Sequence, residues 1–129
     1  MPKIIIASGP VIVENNQVLL NKHGDTAFWK FCGGQTREEE NLMETAVRRA
    51  KEEMGIEIEI LEEEPFITFA RKKTEEDIDV ILVHFLAKKI NEIQPGKDIR
   101  EWGWHNLDKL PQDLGPNIIP ALKHFSFLK

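Results

Sequence analysis

The chain has 129 residues, 41% hydrophobic and 30% charged, enough for one ordinary globular domain spanning residues 1–129. A formal charge of −5 disfavours a nucleic-acid polymer as the main ligand but leaves open a single nucleotide held through a cation. No apolar run approaches the ~20 residues needed to cross a bilayer. The lone cysteine, Cys32, excludes an internal disulfide and a cysteine-based zinc site, and the cytoplasm is the expected compartment.

Lys3–Ala7 is a β-branched run and reads as a first strand; with a lysine inside it and Pro10 close behind, it does not read as a signal peptide. Val11–Val13 and Gln17–Leu20 flank Glu14-Asn15-Asn16 and predict a hairpin. Ala27–Phe31 reads as a short aromatic strand, ending at the paired glycines Gly33 and Gly34.

A helix follows with clear boundaries. Asn41 is placed to cap it, with Glu44 three residues on to complete a capping box, and Gly55 stands where a left-handed cap belongs. Met43, Ala46, Val47, Ala50 and Met54 form one apolar stripe, whose alanines let the helix lie close to a sheet. Beyond it, Ile56–Leu61, Phe66–Lys72, Asp79–Lys89 and Ile99–His105 read as strands, with a turn at Gln94-Pro95-Gly96. Leu107–Leu110 reads as a helical turn and Pro116–Leu128 as a C-terminal helix, with Pro120 near its start. Strands on both sides of one helix, with a second helix at the end, predict an α/β layered domain with a mixed sheet.

The chemistry gathers at the end of the first helix. At about 100° per residue, Glu53 lies at one edge of the apolar stripe and Glu52 about 100° further toward the polar side. Both can meet a loop that begins at Gly33. Two carboxylates with a backbone carbonyl and waters suit an octahedral Mg²⁺ or Mn²⁺ ion, which would bridge phosphate oxygens and activate a water. Glu44, Arg48 and Glu52 form an i, i+4 column, so Arg48 can orient nearby carboxylates, Glu40 included. An acidic helix face is otherwise simply solvated, and the glycine entry, the spacing to Glu40 and the terminal Gly55 argue for more than that.

These residues resemble the signature of the Nudix hydrolases, which runs Gly, five residues, Glu, seven residues, Arg-Glu-aliphatic-x-Glu-Glu-x-Gly-aliphatic. Here it falls on Gly34, Glu40, Arg48, Arg49, Ala50, Glu52, Glu53, Gly55 and Ile56. Trp29-Lys30-Phe31-Cys32-Gly33-Gly34 is similar to the family's entry to the box, with Cys32 in place of proline. Trp102 to Pro111 is similar to its C-terminal strand and turn. The resemblance implies an α/β/α sandwich that hydrolyses a nucleoside diphosphate linked to another group, with Mg²⁺ or Mn²⁺. It implies a small-molecule nucleotide substrate, with no nucleic-acid polymer and no membrane. Carried over by position, Glu52 and Glu53 are the catalytic carboxylates and metal ligands, with the Gly33 carbonyl as a third ligand. Gly34, Glu40, Arg48 and Gly55 support the box, Glu40 and Arg48 as an ion pair. Asp98 and Glu101 are candidates for a further acidic residue.

Arg49 departs from the pattern, which has glutamate there. It falls between Glu53 and Glu52 on the wheel, is always protonated and cannot act as a base. Three consequences stay open: a base supplied from another loop with Arg49 swung outward or contacting phosphate, a nucleotide-binding or regulatory module without catalysis, or a surface pair with Glu53 compatible with either. Elsewhere, Arg71-Lys72-Lys73 reads as a solvated turn balanced by Glu75-Glu76-Asp77. Trp29, Phe31, Phe85, Trp102 and Trp104 read mostly as core. The four histidines show no metal-ligand spacing, and Cys32 reads as a small buried hydrophobe.

Overall fold

The computed structural model describes residues 3–73 and 77–129. In chain order its elements are β1 (Lys3–Glu14), β2 (Gln17–His23), β3 (Gly34–Gln35), α1 (Leu42–Met54), β4 (Ile58–Ile60), β5 (Phe66–Lys73), β6 (Asp77–Lys89), β7 (Ile99–Asn106) and α2 (Ile118–His124). β1 organises the rest. Along most of its length it runs parallel to β6, from Lys3 opposite Ile78 to Ile12 opposite Ala87. At its far end it turns back into β2, which pairs antiparallel with β7. β3 lies against Ala7 and Ser8, and β4 and β5 share the other edge of β6, both antiparallel. The result is a seven-stranded mixed sheet.

Strand periodicity decides which helix each side chain meets. Val11, Val18 and Leu20 join Ile118, Ala121, Leu122 and Phe125 of α2 in one core. Their neighbours Ile12 and Leu19 point to the opposite face and join Ala50 and Met54 of α1. The sheet is therefore covered on both faces, the α/β/α layering expected from the sequence.

The Asn15–Asn16 turn explains the first hairpin. Both residues have positive φ, 50° and 63°, as a two-residue turn matching strand twist requires, and asparagine tolerates that conformation. Glu14 belongs to the strand. Around α1, Asn41 accepts from the Glu44 backbone and the Glu44 side chain reaches back, completing the capping box. Gly55 closes the helix at φ 66°, a left-handed conformation that a side chain would strain.

Several boundaries differ from the sequence reading. Ala27–Phe31 forms no strand: Lys30 bridges Asn21 while Trp29 bridges Leu114, so the segment changes partner from one residue to the next. α2 is shorter than Pro116–Leu128, and Pro120 falls in its first turn, where the missing N–H costs nothing. Leu107–Leu110 is a hydrogen-bonded turn, Lys109 N donating to Asn106 O. Arg71 lies within β5 and pairs with Asp79 at 2.8 Å, whereas Glu75 and Glu76 lie outside the described residues.

Candidate active site

The last turn of α1 is held from both ends of the chain around it. Gln94 N donates to Met54 O and Gly96 N to Glu53 O, so the Gln94-Pro95-Gly96 turn satisfies helix carbonyls that would otherwise lack partners. From the other side, Gly33 N donates to Glu53 Oε1 at 2.7 Å and the Cys32 thiol donates to the same oxygen at 3.4 Å. Burial, and then the charge of Glu53, hold the Cys32 pKa well above its ordinary value, so the thiol stays protonated and acts as a donor.

The apolar stripe carries Glu53 further inward than its place at the edge suggested: it is 4% exposed, while Glu52 remains 41% exposed. Arg48 ties the entry loop to the helix. Its Nε donates to Glu40 Oε2 at 2.6 Å and its Nη2 to Glu40 Oε1 at 2.9 Å, a bidentate pair. Nη2 also donates to Gln35 O at 3.0 Å, and Nη1 to Glu52 Oε1 at 2.5 Å. Those guanidinium bonds lower the Glu40 pKa to about 2, and the Glu40 bond first among its causes raises that of Arg48. Thr45 adds a donor to Glu40 at 2.9 Å from inside the helix.

Arg49 lies between the two carboxylates, as the helical wheel places it. Its Nη1 is 3.4 Å from Glu52 Oε1 and its Nη2 is 3.1 Å from Glu53 Oε2. The second contact is an ion pair without hydrogen-bond alignment, since Glu53 Oε2 and Arg49 Nε are both buried without a hydrogen-bond partner. His23 Nε2 stands 3.8 Å from the same Oε2. The guanidinium is seated on Gly34, where an added Cβ would come within 2.2 Å of Arg49 Nε.

With Arg49 in this position the donor set does not suit a divalent cation. Both carboxylates are already paired, and no group of three or more His, Cys, Asp or Glu side chains among the described residues could hold a metal. Glu101 turns to Lys22 at 3.8 Å, and Asp98 uses its backbone carbonyl to accept from Gly24 N. A cation approaching within ~4 Å of the guanidinium meets a repulsion on the order of 4 kcal/mol per unit charge at an effective dielectric of ~20.

Gly33 and Gly34 also line a cavity of about 350 Å³, within the range that holds small ligands. Its apolar wall includes Phe28, Val80 and Leu82, and its polar groups include Lys30, His84 and Asn117. Phe28 is 42% exposed where it lines this cavity. Burial, then the Lys30 charge, push the His84 pKa down to about 4, so the ring is neutral near pH 7. Its Nδ1 has no hydrogen-bond partner. Asn117 stands at the start of α2 without making a side-chain capping bond. The sequence reading missed these residues. One signal was available: His84 interrupts the alternating aliphatic set Val80, Leu82 on one face of β6.

The architecture is thus an α/β/α sandwich with an ionisable cluster at the end of one helix and a cavity lined by the adjoining glycine turn. The chain belongs to the NUDIX family, whose domain model matches residues 5–125. No curated protein matches it. Among solved structures it is similar to a MutT NUDIX hydrolase from Burkholderia pseudomallei, with a TM-score of 0.75 and 23% identity over 94% of this chain and 97% of that one. It is similar to a MutT protein from Methanosarcina mazei Go1, with a TM-score of 0.74 and 21% identity over 96% of this chain and 94% of that one. A C. elegans Ap4A hydrolase binary complex gives a TM-score of 0.75 and 20% identity, covering 95% of each chain. At these identities the likeness is one of fold.

Proposed function

We propose that this protein hydrolyses the pyrophosphate bond of a nucleoside diphosphate derivative. The single observation carrying this reading is that the cavity and the charged box share one turn: Gly33 and Gly34 line the cavity, while Glu53 and Arg49 contact those glycines from the helix side. The nucleoside occupies the cavity, with Phe28 against the base and neutral His84 and Asn117 offering hydrogen bonds to its edge. Lys30 faces the phosphates. The family relationship supports the same reading, as do structural relatives named as an Ap4A hydrolase and an ADP-ribose pyrophosphatase. A lone cysteine and an acidic balance suit the cytoplasm.

Glu52 and Glu53 are the carboxylates nearest the proposed reacting bond, on a frame kept in place by Gly34, Glu40, Arg48 and Gly55. The family pattern assigns Mg²⁺ or Mn²⁺ to Gly33, Glu52 and Glu53, where it would polarise the phosphate and acidify a water. Because Arg49 pairs with both carboxylates, these residues offer such an ion little free charge. That pairing favours a second reading, nucleotide binding without turnover.

A panel of nucleoside triphosphates, nucleotide sugars, ADP-ribose and dinucleoside polyphosphates, assayed with Mg²⁺, with Mn²⁺ and in EDTA, separates the two. Turnover that disappears in Glu53→Gln supports hydrolysis at this site, and turnover that survives it removes Glu53 from its role. Binding of a panel member with no turnover under any condition establishes the second reading.

A further inference from the structure

We propose that Arg49 is a resident cation: it takes the place between Glu52 and Glu53 that a divalent ion would need, and it binds the ligand's pyrophosphate directly, without metal. The pyrophosphate contact rests on the nucleotide reading above; the exclusion of metal does not.

Three observations carry the proposal. First, helix spacing puts the guanidinium within 3.4 Å of Glu52 and 3.1 Å of Glu53, so one fixed positive charge meets both carboxylates. Glu52 also accepts from Arg48 at 2.5 Å, which leaves it little charge to offer a second cation. Second, the seat is shaped for this side chain. Gly34 leaves room for it, since any Cβ there would come within 2.2 Å of Nε and 2.7 Å of Cζ. Third, the guanidinium is not sealed in. Arg49 keeps 24% of its side-chain surface exposed, and it packs on Gly34, which itself lines the cavity. Lys30 lines that cavity and pairs with no carboxylate among the described residues.

The chemistry of the two cations makes the exchange reasonable. A guanidinium is planar, always charged and weakly hydrated, and it meets phosphate oxygens through paired N–H donors. It therefore supplies fixed positive charge and directional donors where Mg²⁺ would supply charge and coordination. It cannot supply a metal-bound water. A nucleophile at this site must accordingly be activated by a protein side chain.

The test uses inorganic pyrophosphate and Mn²⁺, so that it does not depend on the unidentified nucleoside. Mn²⁺ binding without nucleotide is followed by electron paramagnetic resonance, and pyrophosphate binding by calorimetry, in EDTA and in Mg²⁺. For the wild type we expect no bound Mn²⁺ at millimolar metal and pyrophosphate affinity that is the same in both buffers. Arg49→Glu is expected to bind Mn²⁺, to lose at least ~tenfold in pyrophosphate affinity in EDTA, and to recover it with Mg²⁺. Arg49→Gln, which removes the positive charge and adds no negative one, should show the same loss in EDTA even if Arg49→Glu fails to fold. Wild-type binding that requires Mg²⁺, wild-type Mn²⁺ affinity equal to that of Arg49→Glu, or no pyrophosphate binding in either buffer overturns the proposal. An absence of turnover with intact metal-free binding counts against hydrolysis alone.

Discussion

Arg48 grips Glu40 through two hydrogen bonds, Nε to Oε2 at 2.6 Å and Nη2 to Oε1 at 2.9 Å, and with a third it holds Gln35 O at 3.0 Å. One side chain thus fixes the entry loop against the helix it precedes. Lysine would keep the charge but lose the fork. Arg48→Lys is therefore expected to lower turnover or ligand affinity on the order of tenfold or more, because the loop no longer holds its position to within an ångström. Ligand titration of the folded variant checks this. Unchanged affinity and rate would show that the pair is ornamental to the site.

Gly34 and Arg49 should behave as a coupled pair. An alanine at 34 drives its Cβ into the guanidinium and displaces it from Glu53, leaving the buried Oε2 without its cation at a cost of roughly 1–3 kcal/mol. Shortening Arg49 to alanine makes room for that Cβ. The double variant Gly34→Ala/Arg49→Ala is thus expected to be more stable than the sum of the single effects predicts, by at least ~0.5 kcal/mol. Urea denaturation of the four proteins measures the coupling, and strict additivity would remove the seat on Gly34.

The α1 cap should act on stability without touching charge. Asn41→Ala removes the acceptor for Glu44 N at 2.8 Å, and about 1 kcal/mol of stability should go with it. The thermal midpoint should fall by roughly 3–6 °C. An unchanged midpoint would mean that the helix is held by its packing alone.

His84 sets a pH dependence with a definite sign. Its folded pKa of about 4 lies below the ordinary 6.5, so the unfolded chain takes up the proton first as pH falls. Stability is complete above 6.5 and declines between 6.5 and 4, at no more than about 1.4 kcal/mol per pH unit from this one group. Urea midpoints at pH 7.5 and 5 should differ for the wild type by more than for His84→Gln. Equal differences would mean that this ring is not the group responsible.

How much of this was legible in the sequence follows from the range of each interaction. The capping box, Gly55, the apolar stripe of α1 and the place of Arg49 between Glu52 and Glu53 are all local, set by a helical repeat that sequence spacing states directly. The order of elements, strands on both sides of one helix with a second helix at the end, likewise predicted the layered α/β domain. Ala27–Phe31 failed as a strand because its partners change from residue to residue, from distant Leu114 at Trp29 to nearby Asn21 at Lys30. The cavity was invisible for a related reason. Phe28 comes from a loop, His84 from β6 and Asn117 from the start of α2, and no spacing links them.

By itself, then, the sequence determined the family, the layers and the identity of the charged groups, because periodicity and a contiguous box encode them over a few helical turns. Tertiary structure alone decided that Glu53 is buried, that Gly34 seats the Arg49 guanidinium, and that the same turn lines a cavity. Those outcomes depend on which chain segments meet across the sheet. Packing settles that, and electrostatics at the meeting point then selects which cation the carboxylates keep.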